Sequence, residues 1–348
     1  MRTPILLSAT RAAHYYRPLT LPKSHHHHAS LFKALTLHPH QLRLTSSTTT
    51  NPPLDLPPSN LHYNKTLNPP PTTRPPPFSI PPSNPSLSLL RNLFTKGKAI
   101  VTFYKTGLKS ILLNRRLHST PLDSLPPNIQ PLKPHPDTRA ALLLRSRLSH
   151  DLGRLIPLSL ILLICAELTP VVILAAPNLK LTPLTCRMPR ELEAIRKRDG
   201  EIRKQMREMA RNQRKGEGEG LDAAVGEILR VGRPMLIPSW LYPTAARKSK
   251  LDRRLAWILA DDAMIVQGGG EEELVGEEVK LAVEERGVDV LGKGEEELRG
   301  LLRRWLDIAS KVEDLDERRE VIKEMIITGE DGWGKWEEGR EKEGVASV

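Results

Sequence analysis

The sequence lacks the short motifs that mark most enzymes and metal-binding proteins. It contains no GxxxxGK[ST] or GxGxxG phosphate-binding loop, no HExxH or GxSxG motif, and no DxDxDG calcium loop. Its two cysteines, Cys165 and Cys186, are too few for a disulfide framework. We therefore expect that the protein is not an enzyme and that it has no catalytic residue, metal site or cofactor.

Acidic residues are missing from the first 54 positions, which carry six Arg and Lys residues among Ser, Thr, Leu and Ala. This composition is typical of a mitochondrial transit peptide, which we predict over residues 1–54. A secretory signal would need a continuous apolar stretch near the start, and Pro4–Ala9 is too short.

Charge is distributed unevenly along the rest of the chain. Residues 1–150 contain 19 basic and three acidic residues, whereas the remainder contains 33 basic and 38 acidic residues. The asymmetry indicates an import signal at one end and a separate domain at the other, so we expect no binding to DNA.

A proline-rich tract at residues 55–88 predicts an extended, disordered linker, because such a composition does not build a packed core. Residues 89–154 then predict basic amphipathic helices. The first has apolar residues at helical spacing and Lys and Arg on the remaining surface. Two alternatives are open for it: it lies on an anionic bilayer, or it packs on another helix of the same protein. Its apolar residues are Leu93, Ile100, Tyr104, Leu108 and Ile111.

The one long apolar run is residues 155–176, which we predict to be a single transmembrane helix. Twenty-two helical residues reach about 33 Å, enough to cross a hydrocarbon core of about 30 Å. Thirteen of them are Leu, Ile or Val, contributing about −4 to −8 kcal/mol to insertion against about +3 for one carboxylate. Basic residues lie on both flanks, so topology is not determined by charge; those on the N-terminal flank are Arg145, Arg147 and Arg154.

Glu167 is the acid within this run, and Pro170 follows three residues later. The proline removes a backbone donor, which leaves a free carbonyl near the carboxylate. Such oxygens suit a hard cation or a proton relay. The alternative is a protonated Glu167 that hydrogen-bonds to a neighbouring helix, with Pro170 a simple kink. A single span cannot enclose an ion path, so transport would require a homo-oligomer or other partners.

The region after the span predicts further helices. Residues 179–215 carry twelve basic and five acidic residues and predict a long solvated helix, followed by a flexible GEGEG joint. Residues 221–328 predict a helical soluble domain, with Gly287 as a helix C′ glycine and residues 329–348 as a disordered tail. Its clearest helix has an apolar stripe formed by Leu298, Leu301, Leu302, Trp305 and Leu306.

A basic cluster lies at residues 247–254 of this otherwise acidic domain. It is a candidate contact with ribosomal RNA phosphates, although a lone cluster is more often a solvated helix face. Its members are Arg247, Lys248, Lys250, Arg253 and Arg254.

Several segments together resemble the Letm family of mitochondrial inner-membrane proteins. FYKTGLKSILLN resembles the basic helix that enters the family's conserved region, and DLGRLIP with Glu167, Pro170 and the following Pro177–Asn178 resembles its membrane segment. LADDAMIV, ELVGEEVKLAVEERGVDVLG and EEELRGLLRRWLDI resemble its soluble domain in the same order. The resemblance covers about residues 92 to 308.

The resemblance implies an all-α protein with one span and a matrix domain likened to 14-3-3 proteins. That domain would bind mitochondrial ribosomes, and the protein would contact inner-membrane lipids. The family's roles are potassium–proton or calcium–proton exchange and the handling of new membrane proteins. This sequence resembles a short form without the EF-hand, so we expect no calcium sensing. A cation–proton antiporter component without a ribosome role is the alternative.

Overall fold

A computed structural model describes residues 63–82, 88–165, 182–213, 219–231 and 243–334. Within these ranges the regular structure is helical, which confirms the all-α prediction for this part of the chain. Short 3₁₀ turns join the α-helices. The α-helices, numbered in chain order, are α1 (Leu89–Ser119), α2 (Arg139–Cys165), α3 (Pro189–Gln213), α4 (Glu219–Ile228), α5 (Thr244–Gln267), α6 (Gly276–Glu285), α7 (Glu295–Ser310) and α8 (Leu315–Thr328).

The predicted span is covered only in part. Residues 155–165 form the end of α2, while 166–176, including Glu167 and Pro170, lie outside the described residues. Among the helices that the structure describes, none combines the length and the apolar character needed to cross a membrane. The predicted transit peptide, residues 1–54, also lies outside them.

The predicted stripe of α7 forms the centre of the main core. Leu298, Leu302, Trp305 and Leu306 are buried, and Leu301 packs against them at the edge. A fully buried aliphatic side chain of this kind stabilises the fold by about 1.5–3 kcal/mol relative to exposure. The helix therefore packs as its sequence pattern predicts.

Helix α6 ends as predicted at Gly287, whose φ of +84° is a left-handed conformation that glycine adopts without strain. The residue also lies close to α4, because a Cβ atom there would be 2.9 Å from Cγ2 of Ile228. Glycine is thus required both by the backbone and by packing.

The first residues of the predicted disordered tail pack on the helical body, which corrects the sequence prediction for residues 329–334. Glu330 Oε1 accepts a hydrogen bond of 2.6 Å from Lys293 Nζ, and Trp333 is buried. Its ring lies 5.5 Å from that of Trp305 in an edge-to-face arrangement, and its Nε1 donates a hydrogen bond of 3.0 Å to the carbonyl of Met325. The large apolar area of the buried indole helps to hold this short segment on the core.

Part of the proline-rich tract also packs, contrary to the expectation of an unpacked linker over residues 55–88. Asn68 is buried and binds two backbone groups after α5: its Nδ2 donates to the carbonyl of Glu273 (2.8 Å), and its Oδ1 accepts from the amide of Val275 (2.9 Å). Asparagine supplies the hydrogen bonds that neighbouring prolines cannot, so residues 63–82 acquire fixed partners.

The composition of α3 predicted a solvated helix, but in the structure the helix is bound to other parts of the protein. Its arginines donate five hydrogen bonds of 2.9 to 3.2 Å to backbone carbonyls in or just after the last turns of α6 and α8. Carbonyls at helix C-termini lack intrahelical donors, and cationic side chains satisfy them well. The donors are Arg203, Arg207 and Arg211, and the acceptors are Glu284, Gly287, Val288, Ile326 and Thr328.

Helix α1 packs on other parts of the same protein along one face. Phe103, Ile111 and Leu117 are buried on this face, where α2 and the turn at Leu184–Cys186 adjoin it. Of the residues predicted to form its apolar stripe, Ile111 is buried, but Leu93 and Leu108 are exposed. One face of α1 therefore packs on another helix of the same protein, which was one of the two predicted alternatives. A second face carries apolar residues that are exposed.

Candidate functional site

The candidate site is the N-terminal half of α5, where the predicted basic cluster lies. Arg247, Lys248 and Arg253 have exposed side chains, and Lys250 is half-buried. The helix starts after Pro243, with no side-chain cap and no acid in its first turn. Cations near the positive end of a helix dipole, such as Arg247 and Lys248, do not stabilise the helix.

Arg254 differs from the rest of the cluster because it is part of the packed structure. Its guanidinium lies 4.5 Å above the ring of Trp257, and its Nη2 donates a 3.2 Å hydrogen bond to the carbonyl of Glu285. Burial raises the pKa of the Glu285 carboxyl, and the nearby Arg254 opposes that rise. Arg254 is therefore a structural residue, which leaves the three exposed cations of α5 as the contact candidates.

The C-terminal half of α5 contains two adjacent buried acids, Asp261 and Asp262. Arg139 Nε lies 2.7 Å from Asp261 Oδ1, and Arg286 Nη2 lies 2.9 Å from Asp261 Oδ2. Arg286 Nε also donates to Asp262 Oδ1 at 2.9 Å, and Trp305 Nε1 donates to Asp262 Oδ2 at 3.0 Å. Two carboxylates thus face two guanidinium groups, and the buried cluster is neutral overall.

The two acids of this cluster titrate in opposite directions. Burial acts to raise the pKa of Asp261, but Arg139 and Arg286 outweigh it and hold that pKa below its usual range. For Asp262, burial prevails over the attraction of Arg286, and the pKa is raised. The arrangement joins α2, α5 and α6 and leaves no open face for a ligand, so we interpret it as structural.

Arg147, predicted to flank the membrane, is instead buried in the protein. It forms a two-point ion pair with Glu278 of α6, with N–O distances of 2.7 and 2.8 Å, and donates to the Thr73 hydroxyl at 3.2 Å. Burial acts to raise the pKa of Glu278, but Arg147 holds it below its usual range. A buried carboxylate requires such a partner, which is the physical reason for the correction.

The other two predicted flanking residues remain nearer the surface. Arg145 is exposed, as a membrane-flanking cation requires. Arg154 is half-buried, and its Nη1 donates to the carbonyl of Thr182 at 3.4 Å. Burial, together with the nearby Arg187, lowers the pKa of Arg154 to about 10.

The structure does not bring the predicted sites together into one centre. Glu167 and Pro170 lie outside the described residues. Within the ranges that are described, no group of three or more His, Cys, Asp and Glu side chains is arranged to hold a metal. Sequence reasoning missed the buried partners Arg139, Asp261, Glu278 and Arg286, because no local pattern distinguishes them from surface charges.

The part of the chain that contains α5 is similar to a known protein family. Residues 226–317 match the family model described as LETM1-like, RBD, the LETM1-like ribosome-binding domain. No curated protein and no solved structure matches the chain, so the implied likeness to 14-3-3 proteins stays a prediction. The family match supports the resemblance found in the sequence: residues 226–317 are similar to the LETM1-like ribosome-binding domain.

Proposed function

We propose that this protein binds mitochondrial ribosomes through the domain at residues 226–317. The observation that carries the proposal is the family match over that segment, which includes all of α5, α6 and α7. The exposed side chains of Arg247, Lys248 and Arg253 are the proposed contact, because ribosomal RNA presents a dense array of phosphates. Acids outnumber basic residues in the domain, so a local patch must carry the contact rather than its net charge.

The proposal places the protein in the mitochondrial inner membrane, with the domain in the matrix. The acid-free N-terminus supports import, and the apolar run at 155–176 supports a single span. In this position the protein would hold ribosomes near the membrane and assist insertion of their products. It would also support potassium–proton homeostasis.

The ribosome proposal is tested with the full-length chain in detergent solution and purified mitochondrial ribosomes. Co-sedimentation is measured over a range of salt concentrations for the wild type and for an Arg247→Glu/Lys248→Glu/Arg253→Glu variant. We expect the wild type to co-sediment at low salt and the variant to lose most of that binding. The slope of log affinity against log salt should become shallower by about 0.7–0.9 for each RNA phosphate that the variant no longer neutralises.

The matched control reverses three exposed cations elsewhere, in a Lys105→Glu/Lys109→Glu/Arg116→Glu variant of α1. It makes the same change in net charge and should retain binding. Equal loss in both variants would show that general charge, not α5, carries the interaction. A wild-type protein that fails to co-sediment at low salt would overturn the ribosome proposal itself.

A second candidate function is that of a cation–proton antiporter component without a ribosome role. The supporting observation is Glu167 within the apolar run, with Pro170 three residues later. In reconstituted vesicles, Glu167→Gln should abolish potassium–proton exchange while membrane insertion is retained. Normal exchange by that variant would exclude Glu167 from the mechanism.

Membrane insertion is measured separately by extraction of isolated mitochondria with alkaline carbonate. A protein anchored by residues 155–176 remains in the membrane fraction. Release into the supernatant would overturn the inner-membrane span without affecting the ribosome test.

A further inference from the structure

Helix α1 has a second apolar face, which is largely exposed in the described part of the protein. Large apolar side chains on this face are between 41% and 79% exposed, although the helix buries Phe103, Ile111 and Leu117 on its other side. Contiguous exposed apolar surface on a folded protein marks an interaction site. The exposed residues are Leu90, Leu93, Phe94, Val101, Leu108 and Leu112.

Five of these residues form a continuous line, here called the apolar stripe: Leu90, Phe94, Val101, Leu108 and Leu112. Their separations of four, seven, seven and four residues return to the same side of a helix with 3.6 residues per turn. Of the two seven-residue gaps in this line, the one between Phe94 and Val101 contains a glycine, Gly97. A Cβ atom at Gly97 would meet no other atom within 4 Å, so the surface beside it is open.

A row of cations borders the apolar stripe along the next edge of α1. Its members are exposed and follow one another at separations of seven, seven, four and seven residues. No Asp or Glu occurs in Leu89–Ser119, and none of these cations has an ion-pair partner in the part of the chain that is described. The basic row is Arg91, Lys98, Lys105, Lys109 and Arg116.

The apolar stripe and the basic row together indicate what kind of surface binds α1. The apolar side chains require a surface that excludes water, and the row requires negative charge directly next to it. A bilayer rich in anionic lipids supplies both, with acyl chains below a layer of phosphates. A second copy of α1 would bring two cationic rows together, and RNA would leave the apolar stripe in water.

We propose that α1 lies on the surface of an anionic bilayer, with its apolar stripe at the acyl boundary and its basic row among the lipid phosphates. A 31-residue helix extends about 46 Å along that surface. This contact is distinct from the ribosome surface of α5 and does not require residues 155–176 to cross the membrane. Through this contact, α1 would set the orientation of the whole described body relative to the lipid.

The test uses the full-length chain with an environment-sensitive fluorophore attached at Val101→Cys, on a Cys165→Ser background. The protein is bound to vesicles of phosphatidylcholine alone or of phosphatidylcholine with cardiolipin. We expect blue-shifted emission, and quenching by lipids with brominated acyl chains, only when cardiolipin is present. The same label at Leu315→Cys, an exposed apolar position of α8, should report water in both kinds of vesicle.

Two further variants change the contact in opposite directions. Lys98→Glu/Lys105→Glu should remove the emission shift, because it inverts charge within the basic row. Gly97→Leu should produce the shift at a lower cardiolipin content, since it fills the open position in the apolar stripe. Ribosome co-sedimentation should be the same for both variants as for the wild type, which separates this proposal from the previous one.

Three results would overturn the proposal. One is emission from Val101 that matches that from Leu315 in cardiolipin vesicles. Another is an equal shift in neutral vesicles, which would exclude a role for the basic row. The third is a shift without lipid that grows with protein concentration, which would identify a second copy of the chain as the occupant of the stripe.

Discussion

Arg147 and Glu278 are separated by 131 positions in the sequence but form a two-point ion pair, with Nη2 2.7 Å from Oε2 and Nη1 2.8 Å from Oε1. The side chains are 7% and 0% exposed. The pair joins α2, the helix that enters the predicted span, to α6 of the domain that matches the family model. A second buried link, Arg139 to Asp261, joins α2 to α5. The matched domain therefore packs directly on the helix that leads toward the predicted span.

Removal of one partner of this ion pair should be costly. We expect Arg147→Met to lower the free energy of unfolding by about 3–5 kcal/mol, because Glu278 would remain buried and charged. The double variant Arg147→Met/Glu278→Leu should recover much of that loss, since neither charge remains. Chemical unfolding in detergent solution, followed by circular dichroism, provides the measurement.

The control for this pair is Arg145→Met, which changes an exposed arginine two residues away. It should alter the free energy of unfolding by no more than about 0.5 kcal/mol. A comparable loss at Arg145, or no recovery in the double variant, would contradict the ion-pair explanation.

Low pH should destabilise the folded protein by protonating buried carboxylates that are paired with arginines. The bound arginines, acting against burial, hold the pKa values of Glu278 and Asp261 below their usual range, so each carboxyl binds a proton more readily when unfolded. Their contribution is complete above the unfolded pKa, about 4, and is lost as pH falls through the lower folded-state pKa. We expect the Tm of the wild type to fall steeply below about pH 4.

The Glu278→Gln variant serves as the comparison for this pH dependence. It should have a lower Tm at neutral pH and a smaller further loss below about pH 4, because one of the coupled protons is absent. Asp262, whose pKa is raised by burial, acts in the opposite direction and is common to both proteins. Parallel Tm curves for the two proteins would exclude Glu278 as a source of the acid sensitivity.

Two glycines should respond oppositely to the same substitution. Gly287→Ala should destabilise the protein by about 1–3 kcal/mol, because φ is +84° and the new Cβ would lie 2.9 Å from Ile228 Cγ2. Gly97→Ala should stabilise it by about 0.5–1 kcal/mol, because alanine favours a helix interior and the space is open. Thermal unfolding of both variants checks the signs; a lower stability of the Gly97 variant would show that something covers that face.

Cys186 should resist alkylation in the folded protein. It is buried, and burial raises the pKa of its thiol to about 11, so almost none of the reactive thiolate is present at pH 8. We expect iodoacetamide to modify the Cys186 peptide only in denaturant, as measured by mass spectrometry. A Leu315→Cys variant offers an exposed thiol that should react within the same sample; equal rates at both sites would contradict the burial of Cys186.

Local patterns were enough to predict much of the helical structure. Three features could be predicted because each depends on residues close together in sequence: the apolar stripe of α7, the C′ glycine at Gly287 and the basic cluster of α5. In the structure the α7 stripe is buried and Gly287 has a positive φ. The domain itself was recognisable from three ordered motifs, and the family match over residues 226–317 confirms it.

Predictions were wrong where one local pattern is compatible with both a solvated segment and a packed segment. Proline-rich segments usually stay unpacked, but the hydrogen bonds of Asn68 to Glu273 and Val275 hold residues 63–82 on the helical body. A basic helix usually faces solvent, but the arginines of α3 satisfy carbonyls at the ends of α6 and α8. Neither partner can be read from composition, because each lies far along the chain.

The all-helical class of the described body could be predicted from local patterns, because helical periodicity depends on residues within a few turns of one another. Which charges are buried could not be predicted in this way. Arg145 and Arg147 look alike in the sequence, yet one is exposed and the other faces Glu278 across the interior. Burial and long-range pairing depend on the packing of distant elements, and that information is absent from any local stretch of residues.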